Sequence, residues 1–437
     1  MCGICGIIDI NGYSLLEDDL KIMLSHLKSR GPDHTGLSLQ EKVLFGHRRL
    51  SIIDLSDSGN QPMVFGDLSI TFNGEIYNFP ELKLELSNHF SFDSKSDTEV
   101  LLKGFRLWGM EKLLSKINGM FAFAIYDDKL KALWLARDRF GEKPLYYLLN
   151  DKKLAFASEI NSLYYTEKKL TLNLFALDYY LSELAMPQPM TIWNEILQLE
   201  AAHFLKLDIT TGKHQIKKYW DLKNIEINNA ISEEEAIHTT ERILLDSMKA
   251  RTISDVPFAC FLSGGIDSGL IVSMLASNGY SNLKTFTIGY DNSQQNEAPL
   301  AKKLADRYST DHTEIILKPE VIDALEFMVG YIGEPFADPS IIPTYYVCKA
   351  ISSHVKMAIS GDGGDEMFGG YFEFEFASKA DEWRKSHPNK IARELSSAGG
   401  KLAYKLNLSK INPGHINEFG KQHPALFLYQ QKGFGPF

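Results

Sequence analysis

Apolar residues in the first part of the chain come in short runs bounded by turn residues, the pattern of strands. The runs are Ile4–Ile10, Val43–Phe45, Leu50–Ile53, Ser69–Phe72, Met120–Tyr126, Ala132–Ala136, Leu145–Leu149 and Leu154–Ala157. Helical spacing occurs at Leu15–Leu27, where Leu16, Leu20, Met23, Leu24 and Leu27 share one face, and at Thr98–Trp108. Ser96 and Glu99 stand at capping-box spacing ahead of the second helix. Asp127-Asp128-Lys129 and Asn150-Asp151-Lys152 read as hairpin connections. The pattern predicts an α+β domain, two antiparallel sheets sandwiched by helices.

Around Tyr219–Ile231 the pattern changes. Ser232 and Glu235 repeat the capping box and open a helix to about Ala250. A buried strand, Pro257–Leu262, leads through a glycine loop into a helix over Gly269–Asn278. Strand Thr285–Ile288, helix Ala298–Tyr308, strand Thr313–Ile316, helix Val321–Tyr331 and strand Val355–Ile359 follow. Strands alternating with helices predict an α/β domain with a doubly wound parallel sheet. The domains are expected at 1–215 and 230–437. From about Ala377 the sequence is mixed helical and polar, without a chemical signature.

Composition narrows the function classes. The 437 residues are 44% hydrophobic and 23% charged, enough apolar material for two cores. A net charge of −10, from 46 basic and 56 acidic residues, disfavours a nucleic-acid partner. Cysteines at 2, 5, 260 and 348 are too few for a disulfide framework. Cys2 and Cys5 have CxxC spacing but lie inside a strand-like run, where a redox pair would open a helix. No signal peptide or membrane span is recognisable, so a soluble cytoplasmic protein is expected.

The chemistry begins at Cys2. Loss of Met1 before this small residue would leave an α-amino group with an ordinary pKa of about 7.7–8.0. Such an amine is partly neutral near pH 7 and can take the thiol proton, so nucleophile and base belong to one residue. Met1-Cys2-Gly3-Ile4-Cys5-Gly6-Ile7 resembles the opening of the class II, N-terminal-nucleophile glutamine amidotransferases. Further matches follow in family order: Arg30-Gly31-Pro32-Asp33, His47–Asp54, Gln61-Pro62, Asn73–Asn78 and Ser96–Glu99. Arg137–Tyr147 and Ala157-Ser158-Glu159 complete the series.

The resemblance implies roles that match what glutamine needs. Arg49 suits the α-carboxylate as a guanidinium fork, and Asp97 the α-ammonium. The Asn73 side chain and Gly74 N–H form the implied oxyanion hole. Backbone atoms of Leu50, Ser51, Ile52, Ile53 and Glu75 complete the implied pocket. In isolation Asn73-Gly74 reads as a hairpin turn, Arg49 as a surface or ion-paired residue and Asp97 as a helix cap. Only the ordered series gives them chemistry. Cys5 reads as a small core residue.

In the second half, Ser263-Gly264-Gly265-Ile266-Asp267-Ser268 joins a strand to a helix. Backbone N–H groups and the helix dipole at such a junction suit a pyrophosphate. No GxxxxGK[ST] occurs. Ser360-Gly361-Asp362-Gly363-Gly364-Asp365-Glu366 follows another buried strand, and two loops at strand C-termini belong at one crevice. With Met367–Tyr371 this stretch resembles the asparagine synthetase family, whose synthetase domain is of the ATP-pyrophosphatase type. The resemblance implies ATP binding at Leu262, Ser263, Gly264, Gly265, Asp267, Ser268, Ile288, Ser360 and Gly361. It implies Mg²⁺ at Asp267 and Asp365. Gly333–Ser340 resembles the acceptor-side loop, which makes aspartate the default acceptor. Glutamine and aspartate are thus the expected substrates, and a homodimer is compatible with the family.

Two departures stand out. Family members often read SGEGSDE where this chain has Asp362 and Gly364. Most also continue through an R-x-P-F-L-D segment and a lysine that stabilises charge; neither is recognisable, and Lys432-Gly433-Phe434 matches no family surroundings. The expectation is intact glutaminase activity with a synthetase half that is impaired or relies on another lysine or a partner. A sister enzyme amidating another carboxylate, such as a uronic acid in polysaccharide assembly, stays open. So does a form keeping only glutaminase activity or ATP binding. Phosphoribosyl-type amidotransferases share the Cys2 chemistry but have no need of SGGxDS.

Overall fold

The structure, a computed structural model, describes residues 1–13, 16–167, 169–290, 296–317, 321–372, 374–375, 377–379 and 382. The late stretch containing Lys432 lies outside them.

Twelve strands build the first domain. In chain order they are β1 (Gly3–Asp9), β2 (His34–Leu39), β3 (Val43–Arg49), β4 (Met63–Phe65), β5 (Leu68–Ile76) and β6 (Gly119–Asp127). Then come β7 (Ala132–Arg137), β8 (Tyr146–Leu149), β9 (Lys153–Ala157), β10 (Ile196–Gln198), β11 (His203–Asp208) and β12 (His214–Lys218). They form two six-stranded sheets, β10-β8-β9-β1-β3-β2 and β12-β11-β7-β6-β5-β4, in which every pairing is antiparallel.

Alternation along the strands decides the layering. Ile4 and Ile8 of β1 pack with Ala122 and Ala124 of β6 between the sheets. Cys5 and Ile7 point the other way, onto Leu20, Met23, Leu24 and Leu27 of helix α1 (Glu17–His26) and the turn after it. Phe121, Phe123 and Ile125 cover the opposite outer face, under α2 (Phe79–Leu86) and α3 (Asp97–Lys116). The result is a helix–sheet–sheet–helix stack. Both predicted hairpins join their strands, β6 to β7 and β8 to β9.

Three local differences have physical reasons. Leu50–Ile53 is not a strand. Its backbone bonds go to other loops and not to a neighbouring strand: Ser51 N–H donates to the Asp33 carboxylate (Oδ2) at 2.8 Å, and the Ile52 carbonyl accepts from the Asp255 backbone N–H at 3.0 Å. Helical structure continues past Trp108 to Lys116, but across a break at Gly109, whose φ of 72° is left-handed. The capping box at α3 is half formed. Ser96 Oγ accepts from Thr98 N–H at 3.1 Å, whereas Glu99 accepts from Asp93 and Ser94 N–H and pairs with Lys103.

After α4 (Leu174–Glu183) and α5 (Glu233–Arg251) comes a four-stranded parallel sheet. Its strands are β13 (Phe258–Phe261), β14 (Lys284–Tyr290), β15 (Asp311–Leu317) and β16 (Met357–Ile359), in the order β15-β14-β13-β16. The helices are α6 (Ile266–Ser277), α7 (Ala298–Tyr308), α8 (Val321–Ile332), α9 (Ile341–Ile351) and α10 (Gly364–Phe368). Met248 of α5, Val272 and Leu275 of α6 and Ala301 of α7 cover one face with Cys260. Ile351 and Val355 cover the other with Ala259 and Phe286. Helices on both faces make the sheet doubly wound. The chain steps outward from β13 to β15 and returns to β16 on the far side of β13. That reversal puts the loops after β13 and β16 side by side.

Candidate functional site

Cys2 sits at the head of β1, beside the end of β3. Leu50 N–H points at its Sγ at 3.4 Å, and the thiol faces the Leu50 carbonyl at 3.7 Å. Burial pushes the thiol pKa up from its ordinary value, so the resting group is a thiol that needs a base. The amine of Met1, the residue whose loss would bare Cys2, lies beside it and is lowered to about 6, first by loss of solvation, with Arg30 and Lys143 also pushing it down. An amine in that environment is largely neutral at pH 7. Cys5 lies on the other face of the strand, fully buried, with its thiol pushed up by burial.

Asn73 and Gly74 lie inside β5 and pair with Ala122 and Phe121 of β6, so they are not a hairpin turn. Asn73 is buried, and among the described residues neither its side-chain oxygen nor its nitrogen has a hydrogen-bond partner. Buried amides are nearly always satisfied, so this one is a candidate to meet a substrate group. A Cβ at Gly74 would run into the Met120 carbonyl, so only glycine fits there. Replacing Asn73 with alanine is expected to slow glutamine turnover about 100-fold with little change in KM, the usual cost of one oxyanion donor. Steady-state hydrolysis assays check this.

Two carboxylates bracket the same strand end. Asp97, in the first turn of α3, accepts from Ile76 N–H at 3.0 Å. Burial raises its pKa to about 6, and burial plus the nearby Asp97 charge raises Glu75 to about 7. A substrate ammonium beside them would favour their ionised forms. The sign follows: below these values the groups are neutral and lose their attraction for the ammonium. KM for glutamine should therefore climb as pH falls from 7.5 towards 5.5, approaching about tenfold per pH unit for one linked proton. An Asp97→Asn variant should have a high KM with a flatter pH dependence.

Arg49 is buried at the end of β3, and its guanidinium organises the following loop. Nη1 donates to the Ser56 carbonyl at 2.9 Å and Asn60 Oδ1 at 2.8 Å, while Nη2 reaches the Ile53 and Asp54 carbonyls. In this arrangement Arg49 shapes the wall of residues 53–60, and its Nη donors are already engaged.

Arg30, Glu159, Glu142 and Lys143 are additional charged groups here. Each was visible inside a motif, but without a role, because their partners are distant in sequence. Arg30 Nε donates to the Cys2 carbonyl at 2.8 Å and its Nη1 pairs with Glu159. Burial raises Glu142 and lowers Lys143.

In the second domain, Ser263 N–H donates to Ser268 Oγ at 3.1 Å, the two hydroxyls lie 2.8 Å apart, and Gly265 N–H donates to Ser263 Oγ at 3.0 Å. These bonds curl the loop over the start of α6. Gly264 N–H faces Glu297 Oε2 at 3.2 Å. Leu262 is tied into the sheet through Phe286 O at 2.8 Å and Thr287 Oγ, and Ile288 pairs with Ile315. Ser360 Oγ donates to Asp362 Oδ2 at 2.9 Å. The two loops touch: a Cβ on Gly364 would lie 2.6 Å from Asp267 Cγ, and one on Gly361 would lie 2.9 Å from Asp267 Cβ. Asp365 is the next residue along. Among the described residues no group of three or more His, Cys, Asp or Glu is placed to hold a metal.

Residues 1–220 match the glutamine amidotransferase domain family, and residues 239–421 match the asparagine synthase family. Asparagine synthetase [glutamine-hydrolyzing] 3 of Bacillus subtilis is 30% identical, over 98% of this chain and 72% of its own. The chain belongs to the asparagine synthetase family. A Methanocaldococcus jannaschii member is 33% identical over 94% of this chain and 82% of its own. Asparagine synthetase [glutamine-hydrolyzing] 1 of B. subtilis is 36% identical over 85% of this chain, which spans 59% of that family member's length. Among the described residues, no helix is long and apolar enough to cross a membrane.

Proposed function

We propose that the chain hydrolyses glutamine at Cys2 and spends ATP to convert aspartate to asparagine. The observation that carries the first half is the half-buried Cys2 thiol held at Leu50, in the same domain as an Asn73 amide with no hydrogen-bond partner among the described residues. After loss of Met1 the Cys2 amine takes the thiol proton, and Sγ attacks the amide carbon. Charge gathers on the amide oxygen, where the Asn73 side chain and Gly74 N–H receive it. The amine then returns its proton to the departing nitrogen, and water releases glutamate. Asp97 and Glu75 hold the α-ammonium; Arg49 and residues Leu50–Ile53 line the carboxylate side.

The second half rests on the packing of Asp267 against Gly361 and Gly364. The loop from Ser263 to Ser268 offers backbone N–H groups and a helix start to the phosphates, with Leu262, Ile288, Ser360 and Gly361 around the nucleoside. Asp267 and Asp365 supply hard oxygen donors of the kind that hold Mg²⁺ when phosphate oxygens and water complete the shell. Bound there, the ion would neutralise phosphate charge as the acceptor carboxylate displaces pyrophosphate. Residues 1–215 and 230–437 are the two units in this reading, acting in the cytoplasm, with a homodimer as the family-like assembly.

The deciding experiment is ATP-dependent asparagine formation by the purified chain, with glutamine and then ammonia as nitrogen source. Product from both supports the reading. Glutamine hydrolysis without aspartate-dependent pyrophosphate exchange would sink the aspartate assignment.

A further inference from the structure

Ser158 and Glu159 follow β9, next to the strand that begins at the nucleophile. Ile4 N–H donates to Ser158 Oγ at 3.0 Å, and Ser158 N–H to the Ile4 carbonyl at 2.9 Å. Glu159 then turns its carboxylate to Arg30, in an ion pair whose side chains are only 8% and 14% exposed. Arg30 passes the constraint on: its Nε holds the Cys2 carbonyl at 2.8 Å. Arg30 Nη2 is buried and has no partner among the described residues, so Glu159 and the Cys2 carbonyl are its anchors on this side.

The same Glu159 oxygen, Oε1, faces the hydroxyl of Tyr331 at 3.4 Å. Tyr331 lies near the end of α8 in the second domain, two residues before the acceptor-like loop that opens at Gly333. That junction is bolted to the first domain. Asn161 Nδ2 donates to the carbonyls of Gly330 at 3.0 Å and Tyr331 at 2.7 Å, and the Tyr164 hydroxyl donates to the Gly333 carbonyl. Gly333 has a left-handed φ of 76°, and a Cβ there would strike Asn161.

We propose that Glu159 is a positioning residue for the nucleophile, setting the place of Cys2 through Arg30 and tying that place to the root of the acceptor-side loop through Tyr331. The proposal rests on Cys2 being the glutaminase nucleophile. Its physical basis is the position of the ion pair. A largely buried carboxylate orients a guanidinium tightly, and releasing that guanidinium lets the first residues of β1 drift from the oxyanion donors. The groups around the substrate's α-carbon sit on β3, β5 and α3, so drift of Cys2 acts on turnover and leaves binding alone.

Glutamine hydrolysis without ATP tests this independently of the acceptor. Glu159→Gln is expected to lower kcat about tenfold with KM within about threefold, and Glu159→Asp to recover most of the loss. Tyr331→Phe removes only a hydroxyl and should lower kcat about threefold. The double variant should be no slower than Glu159→Gln, because both act on one path. A Glu159→Gln kcat within about twofold of the parent, or a raised KM at equal kcat, overturns the positioning role. An unchanged Tyr331→Phe, or a double variant as slow as the product of the singles, overturns the link to the second domain. Should Glu159→Gln not fold, Arg30→Lys, which keeps the charge but loses the fork that spans Glu159 and the Cys2 carbonyl, is read by the same kcat and KM criteria, and Tyr331→Phe decides the link to the second domain. A parent chain that hydrolyses no glutamine defeats the nucleophile reading itself, whereas flat variants of an active parent defeat only this proposal.

Discussion

Cys2→Ala should cut glutamine hydrolysis by about 10⁴-fold or more, because removing the nucleophile of a covalent mechanism leaves only the binding and oxyanion contributions. ATP-pyrophosphate exchange and ammonia-dependent amide formation should stay within about twofold, since β13 to β16 and their loops make no use of the thiol. Cys5 cannot substitute. It is fully buried against the α1 side of the sheet, while Cys2 is held at Leu50. Mass spectrometry of the purified chain supplies the companion check, because the base is the amine that loss of Met1 exposes. Hydrolysis that persists in Cys2→Ala, or a fully active chain that still carries Met1, would refute the assignment.

Asp267→Asn should lower ATP-pyrophosphate exchange by about 10³-fold while glutamine hydrolysis stays within about twofold. The substitution preserves size and removes one charge, so it tests the cation and phosphate chemistry more than the packing. Asp267 stands in the first turn of α6 and lies against both Gly361 and Gly364. A Gly364→Ala variant is the geometric counterpart, since its methyl carbon would lie 2.6 Å from Asp267 Cγ and push the loops apart. Exchange in both variants at the parental rate would remove Asp267 from the site.

The reading of particular elements explains what was legible. The run Met120–Tyr126 alternates between two cores, with Phe121, Phe123 and Ile125 to one and Ala122 and Ala124 to the other, and period-two patterning reports that directly. Helix α7 matches its expected bounds because its apolar face faces the sheet and a left-handed Ser309 ends it. Strand β2 escaped notice because it sits at a sheet edge with little apolar content, and β12 because it is exposed throughout. Leu50–Ile53 differs for the opposite reason: it has strand composition, but the Asp33 carboxylate and the Asp255 backbone N–H hold its backbone. No local window contains those partners.

What the chain's residue order determined alone was chemistry that is local in sequence. A cysteine at position 2, an Asn-Gly pair and the SGGIDS loop each carry their reactive or phosphate-facing groups within a few residues. Alternation and helical spacing likewise set the two fold classes, because burial has to repeat with the period of the backbone. Tertiary structure decided what depends on distance in space. It turned Asn73-Gly74 from an apparent turn into mid-strand residues, engaged Arg49 with its own loop, and raised Asp97 and Glu75 by burying them near one another. It also joined Arg30 to Glu159 across 129 residues and brought Gly364 onto Asp267. Solvation and charge–charge energies depend on neighbours in three dimensions, so no reading along one dimension supplies them.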